Sequence, residues 1–132
     1  MSSPDIVTDD RVAKFVGDRC ETIIYPPFTA IGLEKDGRIV AGAVFNSFTD
    51  FDIEVTVAGE CGAFTRRYIR SIGQYVFGQL GCLRLSITTQ QPHVINIARR
   101  LGAQTEGCKR DHFGKGRNAM MLGLLREDWK IR

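Results

Sequence analysis

From Phe51 to Val57 the chain alternates without a break. Phe51, Ile53, Val55 and Val57 fall on one face, and Asp52, Glu54 and Thr56 on the other. A period of two marks a half-buried strand, so this segment is expected to carry two carboxylates on its second face. After Gly62 the period changes. Phe64, Tyr68, Ile72, Val76 and Leu80 recur every four residues, with Ile69 and Tyr75 widening the stripe; Arg66, Arg67, Arg70 and Gln74 take the other side. That spacing predicts an amphipathic helix, closed by Gly81. The stretch VAGECGAFTRRYIR, Val57 to Arg70, is then a strand running through a glycine-containing turn into a helix. A junction of this kind can hold a phosphate group, because the first amides of a helix point outward unpaired.

The same reading covers the rest of the chain. Thr8-Asp9-Asp10 supplies a hydroxyl cap and acidic first-turn residues for a short helix to about Cys20, with Val12, Phe15 and Val16 on one face. Pro26-Pro27 breaks the chain into an extended segment. Ala30 to Lys35 and Arg38 to Phe48 are rich in Ile, Val and Phe and flank Asp36-Gly37, a strong hairpin signal. Cys82 to Thr88 reads as a strand, and Pro92 suits the first turn of a helix over His93 to Leu101, closed by Gly102. Ala103 to Phe113 and Asn118 to Leu125 read as two last strands around a Gly114-Lys115-Gly116 turn. The order is α, β, β, β, α, β, α, β, β. A helix after each of two strands implies βαβ crossovers in a mixed α/β sheet.

Composition narrows the function classes. With 132 residues, 43% hydrophobic and 25% charged, the chain fits one globular domain over residues 1–132. The formal charge is +3. Its basic residues are scattered rather than clustered or interleaved with aromatics, which argues against a nucleic-acid surface and suits a small anionic ligand. Cys20, Cys61, Cys82 and Cys108 form no Cys-x-x-Cys pair, and the only histidines are His93 and His112. No metal-site spacing is present, and buried free thiols are expected at all four cysteines. There is no apolar run of roughly 18 residues to span a membrane and no secretory signal, so a cytoplasmic protein is expected.

"YVFGQLGCLRLSITT", "ARRLGAQTEGCKR" and "RNAMMLGLLREDW", in this order and spacing, resemble the GNAT superfamily of acyl-CoA-dependent N-acetyltransferases. The branch resembled is the ribosomal-protein N-terminal acetyltransferase type, including small phage- and prophage-encoded members. The resemblance runs from about Phe28 to Trp129. It implies a mostly antiparallel mixed sheet, splayed at its centre and flanked by helices, with acetyl-CoA as cosubstrate in the split. It places the pantetheine along Val55 and Val57, and the pyrophosphate on Gly62, Ala63, Phe64, Thr65, Arg66 and Arg67. Gln91 falls where the family has an Asn. The family's Arg/Gln-x-x-Gly-x-Gly/Ala turn reads Glu60-Cys61-Gly62-Ala63-Phe64-Thr65 here. Glu60 would repel a diphosphate unless it points away, while the amides from Ala63 to Arg66 are expected to be free. Val94 replaces a Ser, no tyrosine lies in the second helix, and the N-terminal helical region is reduced to one helix.

Acetyl transfer to an amine requires a base, a polarised carbonyl and a proton for the leaving thiolate. Glu54 is the candidate base, with Asp52 beside it; both equally suit solvated positions on an exposed strand. A backbone N–H near Val57 is implied for the carbonyl. Arg99, Arg100, Lys109, Arg110, Lys115 and Arg117 are further cations, of which one or two could meet a 3′-phosphate. Tyr68, Tyr75 and Phe77 are expected in the core, His93 on the surface, and Trp129 against the sheet. Two functions fit: an N-acetyltransferase acting on a protein N-terminus, lysine or small amine, or a GNAT-fold binding or structural protein of phage or prophage origin with weakened or lost CoA binding. An edge strand or the last hairpin leaves a homodimer open.

Overall fold

The computed structural model describes residues 3–131. Strand β1 (Asp5–Val7) precedes helix α1 (Arg11–Cys20), followed by β2 (Thr29–Lys35), β3 (Arg38–Asn46) and β4 (Asp52–Gly59). Helix α2 (Arg66–Gly73) continues as a π-helical turn over Gln74–Gln79, then β5 (Arg84–Thr89), α3 (Pro92–Arg100), β6 (Gln104–Lys109), β7 (Ala119–Leu125) and a 3₁₀ turn at Arg126–Asp128. All seven strands form one sheet in the order β1-β2-β3-β4-β5-β7-β6. Among the described residues, only β4 and β5 pair in parallel. The α2 crossover between them accounts for this, since parallel neighbours need a long connection.

The hairpin forms where Asp36-Gly37 predicts it, with both residues at positive φ (52° and 82°), as a two-residue turn matched to strand twist requires. Strand β1 lies outside the expected elements. Asp5 is exposed and Ile6 and Val7 are half-buried, and the strand acquires its conformation by pairing with Gly32 to Glu34. Strand β3 stops at Asn46, two residues earlier than expected, where Ser47 turns to φ 59°. Phe51 is not on the core face: it precedes β4 and is 65% exposed. The last hairpin has a longer connection than Gly114-Lys115-Gly116, spanning residues 110–118.

The sheet has helices on both faces. On one, Val12, Val16 and Cys20 of α1 pack with Ala30, Val44, Ala58, Phe113 and Ala119. The approach is close because Gly32 and Gly42 lie beneath: a Cβ at Gly42 would sit 2.6 Å from a Val16 methyl. Each fully buried valine contributes about 1.5–3 kcal/mol. The opposite face carries α2, its π turn and α3, with Tyr68, Val76, Phe77, Val94 and Ala98 over Ala43, Phe45, Val55, Ile87 and Leu122. Trp129 packs there on Phe77, ring centroids 5.5 Å apart.

Local polar contacts fix how the ends meet the sheet. The expected hydroxyl cap and acidic first turn do not form: α1 starts only at Arg11, its N-cap Asp10 makes no side-chain bond and its first turn holds no acidic residue. Instead the Asp9 carboxylate, just ahead of the helix, accepts from the Arg11 amide at 3.0 Å and from the Arg11 guanidinium at 2.8 Å. Those bonds hold the carboxyl down at about 2. Arg11 also pairs with Glu34 on β2. Across the same face, Arg117 donates to the carbonyls of Phe113 and Cys20 and pairs with Glu21, tying the β6–β7 connection to the end of α1. Arg117 is thus a tether, and Arg99 is likewise spent on Thr105; neither is a free surface cation. Cys20 and Cys82 are buried as expected, whereas Cys61 and Cys108 are exposed, because the turn and the edge strand that carry them have nothing packed above. Among the described residues, no helix is long and apolar enough to cross a membrane.

Candidate functional site: the split between the parallel strands

Strands β4 and β5 pair from Asp52 with Arg84 to Thr56 with Thr88 and then part. The amide of Glu60 donates to Val40 on β3, so by alternation the peptide groups of Val57 and Gly59 face the widening gap. Buried peptide groups require partners, and here side chains provide them. Thr89 Oγ1 donates to the Val57 carbonyl at 3.3 Å. The Gly59 amide donates to Gln91 Oε1 at 2.9 Å, and His93 Nε2 donates to the Gly59 carbonyl at 2.9 Å. His93 is therefore half-buried and bonded, not a plain surface residue. Sequence reading missed its role; the available signal was a helix opening directly at a strand end, which sets first-turn side chains over the neighbouring strand.

At the open end of the gap lies the turn. Gly62 sits at φ 84°, where a side chain would be strained. The Ala63 amide donates to Glu60 and the Thr65 amide to Ala63. This corrects the expectation that every amide from Ala63 to Arg66 is free. Among the described residues, those of Phe64, Arg66 and Arg67 lack an intramolecular acceptor. Helix α2 begins at Arg66, two residues later than the hydrophobic stripe suggests, because Thr65 is its cap and accepts the Tyr68 amide at 3.2 Å. Ala63 is buried, while Phe64 is half-buried against Tyr68 and His93.

Charges around the turn are arranged to neutralise Glu60. Arg38 bonds it directly and Arg19 stands 3.5 Å away; the Arg38 bond holds the carboxyl below its ordinary range. Arg67 donates to the Pro4 carbonyl at 2.8 Å, which draws it toward the N-terminal segment. Arg66 has no such bond among the described residues and lines a cavity of about 540 Å³ with Cys61, Gly62, His93, Asn96 and Arg100. Val55 and Val57 face inward and border a small apolar void of about 60 Å³ with Phe64 and Val94. The end of the split thus joins a roomy, positively lined mouth to a narrow apolar interior.

The two carboxylates occupy the α1 face of β4, and their surroundings differ. Both oxygens of Asp52 accept from Ser86 Oγ, at 2.8 and 3.0 Å, and Arg84 stands 3.5 Å away. Arg84 forks onto Glu106 at 2.6 Å, holding that carboxyl below its ordinary range. Glu54 is half-buried and has no hydrogen bond or ion pair among the described residues. Its charge reaches His112 on the β6–β7 connection. Desolvation and then Lys109 push the His112 imidazole below its ordinary value, and Glu54 opposes them. The arrangement leaves an unbonded carboxylate at Glu54 on one side of the sheet, and unpaired amides with Arg66 at the turn on the other.

Neither a family model nor a curated protein sequence matches the chain. Solved structures do. Spermidine N-acetyltransferase from Vibrio cholerae, in complex with CoA and spermine, superposes at TM-score 0.69 with 10% identity, over 97% of this chain and 98% of that one. The same enzyme in a dodecameric structure gives 0.68 with 12% identity, over 96% of each chain. Ribosomal-protein-S5-alanine acetyltransferase from Vibrio fischeri gives 0.60 with 13% identity, over 78% of this chain and 64% of that one. At such identities the likeness is one of architecture: a mixed sheet opened between its parallel strands, with a helix starting at the opening. The chain has the GNAT fold of these N-acetyltransferases.

Proposed function

We propose that the protein is an acetyl-CoA-dependent N-acetyltransferase that moves an acetyl group directly to a primary amine. The observation that carries this reading is the continuity of the split. The cavity at Gly62 and Arg66 adjoins the apolar void bordered by Val55 and Val57, the two sharing Phe64 and Ile69, and Glu54, without a bonding partner among the described residues, stands on the other face of the same strand. The likeness in fold to a spermidine N-acetyltransferase solved with CoA and spermine supports it. In this reading the amides of Phe64, Arg66 and Arg67, with the Arg66 guanidinium, hold the pyrophosphate, since helix N-termini favour anions. Ala63 and Thr65 shape the turn, and Gln91 borders the pantetheine path. Glu54 accepts the proton of the attacking amine, directly or through a water. The amine nitrogen bonds the thioester carbonyl carbon, a backbone N–H near Val57 where the strands part stabilises the developing oxyanion, and the carbon–sulfur bond breaks as the thiolate takes up the proton that Glu54 received from the nitrogen. Asp52, held by Ser86, adds negative potential that draws the protonated amine.

A second reading, a GNAT-fold binding or structural protein with weakened CoA binding, is favoured by one observation. The Gly59 peptide groups and the Ala63 and Thr65 amides are already bonded within the chain. Titration calorimetry and thermal shift with CoA and acetyl-CoA separate the two. A ligand at 100 times its Kd stabilises a fold by about 2.7 kcal/mol, so a clear rise in Tm is expected. Thiol release is then expected with an N-terminal peptide, a lysine peptide or spermidine. No heat and no Tm change at millimolar CoA would leave the binding-protein reading in its place.

A further inference from the structure

We propose that Gln91 and His93 are built-in occupants of the β4 edge, and that an extended amide ligand binds by displacing them. The proposal rests on the acyl-CoA reading above. Gly59 presents its N–H and C=O together toward the gap, as a strand residue does to a neighbouring strand. Two side chains answer it. The Gln91 amide supplies an oxygen at 2.9 Å and the His93 imidazole supplies an N–H at 2.9 Å. Together they reproduce the acceptor and donor of one extended peptide unit, the same pair that a secondary amide in a linear ligand such as pantetheine would bring.

These contacts are built to be exchanged. The Gln91 backbone is anchored separately, its amide donating to Thr89 Oγ1 at 3.1 Å. That hydroxyl itself donates to Val57. The start of α3 therefore stays in place while the two side chains rotate. Room to rotate is at hand, because His93 borders the cavity of about 540 Å³. Phe64 closes the remaining side: a Cβ at Gly59 would lie 2.7 Å from its ring. A ligand chain entering from the mouth consequently meets His93 first and Gln91 behind it. Displacement sets affinity, since each bond broken within the protein is subtracted from those the ligand makes.

The test uses the full chain and its Gln91→Ala, His93→Ala and doubly substituted variants, with pantetheine and CoA as probes. Gln91→Met, similar in shape but unable to accept the bond, replaces the alanine variant if that one is unstable. Without ligand, the Gly59 amide is expected to exchange its hydrogen faster in the Gln91 variants than in the native chain. Calorimetry is expected to give pantetheine and CoA affinities raised roughly two- to tenfold per bond removed. Pantetheine should restore Gly59 protection in every variant. Variants that bind more weakly than the native chain, or equally, overturn displacement and leave the acyl-CoA reading standing. Absence of binding in all the proteins, native included, overturns that reading and the proposal with it.

Discussion

Asp52 and Glu54 stand two residues apart on one face of β4, and what crosses from β5 separates them. Ser86 and Arg84 engage the oxygens of Asp52, whereas Glu54 keeps its oxygens unbonded within the described residues. A base must have a lone pair to offer, so the catalytic assignment falls on Glu54. Glu54→Gln is expected to lower turnover by about 100-fold, the lower range for loss of general-base catalysis, with CoA affinity within about twofold of native. Asp52→Asn is expected to cost stability more than rate. Thiol-release kinetics with calorimetry decide this, and equal rate losses in the two variants would remove the distinction. Sequence alone could not rank the pair, because alternation places both on one face and says nothing of Ser86, 34 positions away. Glu60 shows the same limit. Read in sequence it repels a diphosphate, but Arg38, delivered by the hairpin register, bonds it.

Elements with strong local period were legible; those created by pairing were not. The β4 alternation, the Asp36-Gly37 hairpin and the four-residue stripe of α2 all form, because burial of one face and turn chemistry act locally. Strand β1 has no period of its own and exists by pairing with β2. The π turn is equally silent in sequence: it lengthens the hydrogen-bonded loops at the end of the helix, Leu80 to Tyr75 at 2.9 Å among them, while the apolar stripe continues. The start of α2 was read two residues early because Phe64 fits the stripe but packs from the turn. Thr65 decides that start through its bond to Tyr68. Thr65→Ala is expected to destabilise the fold by about 1 kcal/mol, measured by urea unfolding, and to weaken CoA binding by loosening the first turn. An unchanged midpoint would show that the hydroxyl bond contributes nothing and that the turn is set by Gly62 alone.

Across the whole molecule, the sheet separates two chemistries and the split joins them. The face under α1 carries Glu54, enclosed by the β6–β7 connection that Arg117 ties to α1. The face under α2 and α3 carries the mouth, where cations gather within a net charge of only +3. A field of this kind acts over a Debye length, about 10 Å at 0.1 M salt and 3 Å at 1 M, so the cations nearest the turn dominate. Arg66 and Arg67 are adjacent in sequence and were equal candidates, yet the fold gives them different employment. Arg66 lines the mouth, while Arg67 reaches back to Pro4 and helps hold the N-terminal segment. Arg66→Glu is therefore expected to weaken CoA binding by about tenfold or more, the scale of one charge-assisted hydrogen bond, and the loss should shrink as salt rises. Arg67→Glu is expected to change CoA affinity less and to lower Tm by releasing Pro4. Calorimetry at two ionic strengths, beside thermal unfolding of both variants, measures each arm. Equal losses of affinity in the two would show that the mouth senses total charge near α2, and that the Pro4 contact does not withdraw Arg67 from it.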